Sequence, residues 1–591
     1  MALNKTLKMK RIFLFLFALI SYPMIAQDLP NGLTDEELRM LPTYRFPGQN
    51  NKAITSPPGG SIRAMAEWEE VSGLVISWRS SYASTLREIV RYGRLETRVI
   101  IICADSNAVK TSLTNANIPL SNITYLEEAS NSVWMRDYGA NPIYRNDVDS
   151  LFLVDWIYNR PRPDDDVVPS ALGAYLNLPV YTTTAAPNDL VHTGGNYMSD
   201  GAGTAFSSKL VLDENGPAGT FNVTVKTEAE IDSIMKNFMG ITRYIKMETL
   251  PYDGIHHIDM HMKLLDEETL LIGEYPAGVA DGPQIEANLQ YVLSNFNSMF
   301  GTPYKVIRVV MPPETNGSYP NTGGDYLTFT NSVFVNKTVL MPVYRPEFDT
   351  TALRIMKSAL PGYNVVGINC NSIIQQSGAI HCITHTVGVS DPLRIVHQPL
   401  TDTYNTTNPY TVNGTFQHRS GISTAQLYFT TDTTQPYVVV PMTMTNPATN
   451  TWSGDIPAQV AGTEIFYYLE GTSNSGKIQV RPMPAPEGYW KFKVLDSTTS
   501  LNEKEISSFL NNPFPNPGRA ITCIPFNNGV GGRVEVQLID ALGRSLQTIF
   551  EGNIEPGKKN FFVDCSQFEA GLYFVQVKNL QGQYTKPLMV K

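Results

Sequence analysis

Leu74-Val-Ile-Ser77, Ala83-Ser-Thr-Leu-Arg-Glu-Ile-Val-Arg-Tyr92 and Arg98-Val-Ile-Ile-Ile-Cys103 follow one another as strand, helix and strand. Two short apolar runs flanking an amphipathic segment argue for α/β packing. The alternation continues outward. Leu151–Trp156 reads as a further strand, and Glu228–Phe238 and Gln284–Phe296 read as helices, so the α/β region spans residues 63–397. Within it His192-Thr-Gly-Gly-Asn-Tyr-Met198 echoes Asn321-Thr-Gly-Gly-Asp-Tyr-Leu327, which points to similar units stacked around a centre.

The pattern changes on both sides. Residues 27–62 are turn-rich and polar, an N-terminal extension. Ahead of them Lys5, Lys8, Lys10 and Arg11 precede the apolar run Ile12 to Ile20, and Ala26 precedes Gln27. That layout predicts a signal peptide over residues 1–26, its apolar run too short to span a bilayer. Residues 398–495 carry short β-rich runs such as Ala425–Thr430, Tyr437–Met444 and Glu464–Glu470, and their length suits an immunoglobulin-like sandwich. Residues 496–504 read as a polar linker. Residues 505–591 are β-rich again, with strands expected at Val534–Leu538, Asn560–Val563 and Leu572–Val577.

A chain of 591 residues with 42% hydrophobic and 17% charged residues calls for several globular cores. Its formal charge of −10 argues against nucleic acid as main partner and fits a secreted protein or one handling cationic substrates. The five cysteines leave at least one without an intrachain partner in an oxidising compartment. Cys523 and Cys565 could pair, and Cys103 reads as core. Cys370 and Cys382 could form a disulfide, or Cys382 could be reactive.

Reactive groups cluster in the α/β region. Trp134-Met-Arg-Asp137-Tyr-Gly139 places a carboxylate in a turn. His257-Ile-Asp259 places an imidazole and a carboxylate on one face if the segment is a strand, leaving His256 on the other. Gly378-Ala-Ile-His-Cys382-Ile-Thr384 places a thiol beside a glycine-containing loop. This is the set that hydrolysis of a guanidinium requires. The group is a permanent planar cation, so two carboxylates suit its fork of N–H donors. A thiolate is the strongest side-chain nucleophile for its carbon, and an imidazole can protonate departing ammonia. His192, His381 and His385 lack a complete metal-ligand pattern, so no zinc site is expected.

Together with His192–Met198, Asn321–Tyr326 and Thr330-Asn331-Ser332, these motifs resemble the guanidino-group-modifying superfamily. Within it they resemble the Porphyromonas-type bacterial peptidylarginine deiminases and the agmatine deiminases. The resemblance implies a five-bladed, pseudo-symmetric α/β propeller with a central site. It implies Cys382 as nucleophile, His257 as proton carrier, Asp137 and Asp259 as the guanidinium's grips, and Asn331 orienting substrate or a catalytic partner. It implies Trp134 at the substrate site and no cofactor, calcium not being required for catalysis. Asn159-Arg160-Pro161-Arg162-Pro163 sets two arginines near a cation site, which makes sense if they bind an anion. The matching residues of the peptidylarginine deiminases bind the C-terminal carboxylate of a peptide ending in arginine, a role carried here to Arg160 and Arg162. Agmatine has no carboxylate. In Tyr252-Asp-Gly-Ile255 a glycine stands where an aromatic would cover the substrate side chain, which puts peptide preference in doubt. The alternatives are an agmatine or free-arginine deiminase, and a non-catalytic surface adhesin on the same scaffold.

Phe514-Pro-Asn-Pro517, Asp540-Ala-Leu-Gly-Arg544 and Gly571-Leu-Tyr-Phe-Val-Gln-Val577 resemble the C-terminal sorting domain of type IX secretion cargo. That implies a β-sandwich, handling by the type IX machinery, and a secreted or cell-surface protein.

Overall fold

The computed structural model describes residues 28–44, 53–496, 510–528, 531–540, 543–579 and 582–591. The expected signal peptide and most of the expected linker lie outside the described residues. The chain forms two compact units, Met1–Val494 and Leu495–Lys591.

Within the first unit, residues 62–388 build five sheets of one strand pattern. In each, a strand pairs antiparallel with a central strand, which pairs in parallel with a third. Asn141–Arg145, Ser150–Asp155 and Val180–Thr182 form one such set. Met198–Ser199, Thr204–Ser208 and Arg243–Met247 form the next. Met262–Leu264, Thr269–Glu274 and Lys305–Val310 follow, then Val333–Val335, Thr338–Val343 and Asn364–Asn369. The last strand, Thr384–Gly388, pairs antiparallel with Val71–Ser77, which runs parallel to Arg98–Cys103. The end of the region thus completes the sheet that its beginning opened.

Local chemistry explains the connections. Parallel pairing needs a crossover, and helices such as Ala83–Glu96, Glu228–Met239 and Pro346–Ala359 supply it. Glu228–Met239 starts at a Thr227/Glu230 capping box and stops at Gly240, whose φ of +72° suits glycine. Ala83–Glu96 turns Leu86, Ile89, Val90 and Gly93 inward. Gly93 lets that helix meet its strand, because a Cβ there would fall 2.6 Å from Leu74 Cδ2.

Residues 394–494 fold as a two-sheet β-sandwich around Val412, Phe416, Leu427, Tyr467 and Leu469. Tyr437–Met444, expected as one run, is two strands, Val438–Pro441 and Thr443–Asn446, in different sheets. The sandwich is bonded to the α/β region by Arg481 to Glu267 at 3.1 Å and Lys477 to Glu70 at 2.6 Å.

The second unit has its own β core, including Ile524, Phe526, Val534, Val536, Val575 and Leu588. Cys523 and Cys565 are not bonded to each other; all five cysteines are free. Cys565 Sγ lies 3.2 Å from Thr522 Oγ1, and successive strand residues face opposite ways, so Cys523 is turned away from it.

Candidate active site

Each of the five sheets receives its first strand from a loop that carries site residues. Asp137 precedes Asn141–Arg145, Thr193–Asn196 precede Met198–Ser199, and His257 and Asp259 precede Met262–Leu264. Asn331 precedes Val333–Val335, and Cys382 precedes Thr384–Gly388. Residues far apart in sequence occupy equivalent places, and their loops converge.

Asp137 lies in the single turn Met135–Tyr138, closed by Gly139 N donating to Met135 O at 3.0 Å. Its Oδ1 accepts Thr193 Oγ1 at 2.9 Å and Gly195 N at 3.1 Å, with His257 Nδ1 3.6 Å away. A Cβ on Gly195 would lie 2.5 Å from His257 Nδ1, 2.8 Å from Asp137 Oδ1 and 3.3 Å from Asp259 Oδ2. Glycine is therefore what allows these three groups to meet.

His257-Ile-Asp259 is not a strand. Ile258–Met260 is a 3-10 turn with His257 as its extended N-cap residue, and His256 sits at φ +59°. The expectation of two strand faces fails here, yet His257 and Asp259 still reach the same point from the turn. Asp259 Oδ2 lies 2.7 Å from His381 Nδ1 and accepts Cys382 Sγ at 3.4 Å.

Asn331 anchors the thiol loop. Its Nδ2 lies 3.1 Å from Cys382 Sγ, and its Oδ1 accepts the backbone N–H of Ala379, His381 and Cys382 at 3.2, 2.9 and 3.3 Å. Cys370 is buried elsewhere, its Sγ on the carbonyl of Ile368 at 3.4 Å.

Two residues of this network, His381 and Glu67, carry no role in the sequence reading. His381 Nε2 lies 3.4 Å from Glu67 Oε1, and Glu67 is ion-paired to Lys263 and lies 3.6 Å from Arg136 Nη2. The chain Asp259–His381–Glu67 ends at a groove lined by Glu67, Arg136, His381 and His385. The adjacency of His381 to Cys382 is the one sequence signal for it. Thr193 and Gly195 lie within the His192–Met198 motif, whose supposed echo is misleading, because Asn321–Gly323 is an exposed surface turn. His192 is structural: it stacks on Trp156 at 4.3 Å, with Nε2 2.7 Å from Tyr244 Oη.

Burial dominates the electrostatics. Desolvation and the charge of Asp259 push Asp137 up to about 7. Asp259 is also desolvated, but His381 holds it below the usual carboxylate range. Burial draws His257 down to about 3, so it is neutral at physiological pH. Burial, then Asp259 and Asp137, raise the Cys382 thiol well above its ordinary value. Asp137 Oδ2 and Asp259 Oδ1 are buried without a protein hydrogen-bond partner.

Trp134, Arg160 and Arg162 are buried beside this centre, at 0%, 5% and 1% exposure. Their polar atoms bond to the chain's own N-terminal segment. Trp134 Nε1 donates to Leu29 O at 3.0 Å, and Arg160 Nε donates to Asn31 O at 2.8 Å. Arg162 grips the Glu37 carboxylate, Nε to Oε1 at 2.7 Å and Nη2 to Oε2 at 3.2 Å. The turn-rich reading of residues 27–62 missed this segment's helix, Asp35–Met40.

The model of the Porphyromonas-type peptidyl-arginine deiminase family matches residues 63–387, and that of a secretion-system C-terminal sorting domain matches residues 512–591. A Yersinia pseudotuberculosis protein assigned as an agmatine deiminase is 23% identical over 344 residues, 53% of this chain and 89% of its own. A solved structure assigned as an agmatine deiminase is 20% identical with a TM-score of 0.50, covering 57% of this chain and 99% of its own, and shares the α/β fold. One assigned as an arginine deiminase from Porphyromonas gingivalis is 21% identical with a TM-score of 0.48, covering 55% and 98%.

Proposed function

The chain belongs to the Porphyromonas-type peptidyl-arginine deiminase family, and on that premise we propose that it hydrolyses the guanidinium of a peptide's C-terminal arginine to citrulline and ammonia. It carries a type IX C-terminal sorting domain and is a secreted or cell-surface protein. The carrying observation is the meeting of Cys382, Asp137, Asp259 and His257 in one buried space.

The two unpartnered carboxylate oxygens suit the substrate's N–H fork. The bound cation offsets the negative charge that raises the Cys382 thiol, so substrate itself favours the thiolate. Cys382 passes its proton to neutral His257 as sulfur bonds to the guanidinium carbon. The adduct collapses by breaking one C–N bond, and His257 returns the proton to the leaving nitrogen as ammonia. His257 then takes a proton from water, whose oxygen adds to the thiouronium carbon. Breaking the C–S bond releases the ureido group as the adduct's hydroxyl proton returns to sulfur, and His257 gives up its proton to the freed ammonia as ammonium, which restores both the thiol and the neutral imidazole. Asn331 acts by holding the sulfur and its loop.

The grip of Arg162 on Glu37 supports its use for a substrate carboxylate, with Arg160 beside it. The five sheets of one pattern support a five-bladed propeller. One sheet of the sandwich runs Arg394–Val396, Tyr410–Gln417, Thr451–Ile456, Thr443–Asn446, and the other Val438–Pro441, Ile422–Thr430, Glu464–Ser473, Ile478–Arg481 with Trp490–Lys493 also on Glu464–Ser473, which supports an immunoglobulin-like topology. None of these steps uses a metal, and turnover is expected to persist in chelator.

The test is citrulline and ammonia release from four substrates: a peptide ending in arginine, one with arginine internal, free arginine and agmatine. It uses wild type and Cys382→Ala, each with and without residues 28–44. Preference for C-terminal arginine, lost in Cys382→Ala, is expected. Turnover of agmatine alone would overturn the substrate, and silence on every guanidine would favour a surface adhesin.

A further inference from the structure

The N-terminal segment occupies the place where the proposed substrate must bind. Besides the bonds to Leu29, Asn31 and Glu37 described above, Arg162 Nη2 donates to Pro30 O at 2.7 Å and Gly32 O at 3.2 Å. Asn31 N donates to Gln376 O at 3.0 Å, and Asn31 Nδ2 to Ser377 O at 3.3 Å, so the segment also spans the loop that leads to Cys382. A Cβ on Gly378 would meet three groups: the Trp134 ring at 2.4 Å, Cys382 Cβ at 3.0 Å and Asn31 Nδ2 at 3.2 Å. Asn31 and Cys382 therefore flank the same bare Cα of Gly378, and both are 0% exposed.

The contacts imitate a peptide ligand. Three successive residues, Pro30, Asn31 and Gly32, offer backbone carbonyls to Arg160 and Arg162, and one carboxylate, Glu37, takes the two parallel N–H donors of Arg162. Glu37 also caps its own helix, accepting Thr34 N at 2.8 Å while Thr34 Oγ1 accepts Glu37 N at 3.2 Å. A helix of one and a half turns does not hold itself together in water. Its order depends on docking, so undocking loses helix and contacts as one unit. The segment also carries a cost: Asn31 Oδ1 is buried without a hydrogen-bond partner. That cost lowers the barrier to displacement.

We propose that residues Asp28–Tyr44 are a built-in occupant of the peptide-binding site. Asn31 covers Cys382 and Glu37 stands in for the substrate's carboxylate on Arg162, so the enzyme is latent until the segment is displaced or removed. This rests on the deiminase reading for its substrate, but the occlusion of Cys382 is independent of it. Because the segment is tethered, it competes at the effective concentration of an intramolecular ligand, in the millimolar range for short links.

The experiment compares the full chain, a variant lacking residues 28–44, and Glu37→Gln. Two readouts are used: kcat/KM on a peptide ending in arginine, and the rate of Cys382 alkylation by iodoacetamide, located by peptide mass spectrometry. Cys370, buried with its Sγ on the carbonyl of Ile368, is the internal control. Deletion is expected to raise both readouts about tenfold or more, with Glu37→Gln intermediate and Cys370 labelling unchanged. A synthetic peptide of residues 28–44 added to the deletion variant should inhibit competitively and slow Cys382 labelling, and the same peptide with Glu37→Ala should do so less well. Equal Cys382 labelling in full chain and deletion variant, with no protection by the peptide, would overturn the proposal. Faster labelling without turnover of any guanidine would keep the occlusion and discard the deiminase reading.

Discussion

His381 Nδ1 lies 2.7 Å from Asp259 Oδ2, and the other nitrogen of the same ring lies 3.4 Å from Glu67 Oε1. One imidazole thus joins a carboxylate that touches Cys382 to a half-buried carboxylate that lines the groove on its other side. Glu67, although desolvated, is held well below the usual carboxylate range by Lys263, His381 and Arg136. It gives His381 a fixed negative partner and fixes which way the ring faces.

Glu67→Gln is expected to act through that ring. It removes the charge facing His381 and leaves Lys263 buried beside a neutral amide. We expect kcat to fall about 10- to 100-fold with little change in KM, the size seen when the outer partner of a site histidine is lost. A shifted pH–rate profile would separate this from general destabilisation. An unchanged profile with a lowered melting temperature would make Glu67 merely structural.

Asp137 sets a pH dependence of activity. Its carboxyl is raised to about 7, and only the ionised form attracts a cation. kcat/KM, which reports the free enzyme, should therefore fall as pH drops through about 7, about tenfold per unit below it. Steady-state rates at subsaturating peptide from pH 5 to 8 check this. A flat profile would remove Asp137 from substrate binding.

The same group predicts a trade of stability for function. A raised folded-state value means that the native chain holds a proton which the unfolded chain has lost between about pH 4 and 7. Stability from Asp137 is present at low pH and declines as pH rises through that window. Across the whole window the loss is at most about 4 kcal/mol. Asp137→Asn should be inactive yet more stable at pH 7.5, with the gain vanishing near pH 4. Denaturant titrations at both values decide it.

Asn331→Ala removes the acceptor shared by three backbone N–H groups and the amide on the sulfur. Leaving buried donors unsatisfied costs about 1–3 kcal/mol each, moderated here because His381 N also reaches Asn331 O. We expect a fall of about 2–4 kcal/mol in stability and a loss of kcat greater than Asn331→Asp produces. Equal kcat in the two variants would confine the catalytic role of Asn331 to its amide on the sulfur, and wild-type kcat in Asn331→Asp would confine it to loop anchoring.

Arg481 holds the sandwich to the α/β region through Glu267, which is 6% exposed. Arg481→Ala strands a buried carboxylate and should destabilise by about 3–5 kcal/mol. Activity well below the new melting temperature should be intact, because the pair lies outside the site. Calorimetry alongside peptide turnover tests both halves.

Much of this protein was legible in its sequence. Ala83–Glu96, Arg98–Cys103 and Glu228–Met239 declare themselves because amphipathic period, capping residues and apolar runs are local properties. Asp137, His257, Asp259 and Cys382 stand out because hydrolysis of a guanidinium would call for those side chains, and Asn331 stands out only through a motif that resembles the family's; each lies just before a strand. Three things were decided only by tertiary structure. The chain closes on itself through the pairing of Thr384–Gly388 with Val71–Ser77, and no local pattern encodes a partner three hundred positions away. His257 and Asp259 meet through a 3-10 turn and the bare Cα of Gly195, a contact set by packing rather than by strand period. Arg160 and Arg162 face the chain's own N-terminal segment, since a charge pattern names a ligand's chemistry and only the folded chain shows which carboxylate fills it.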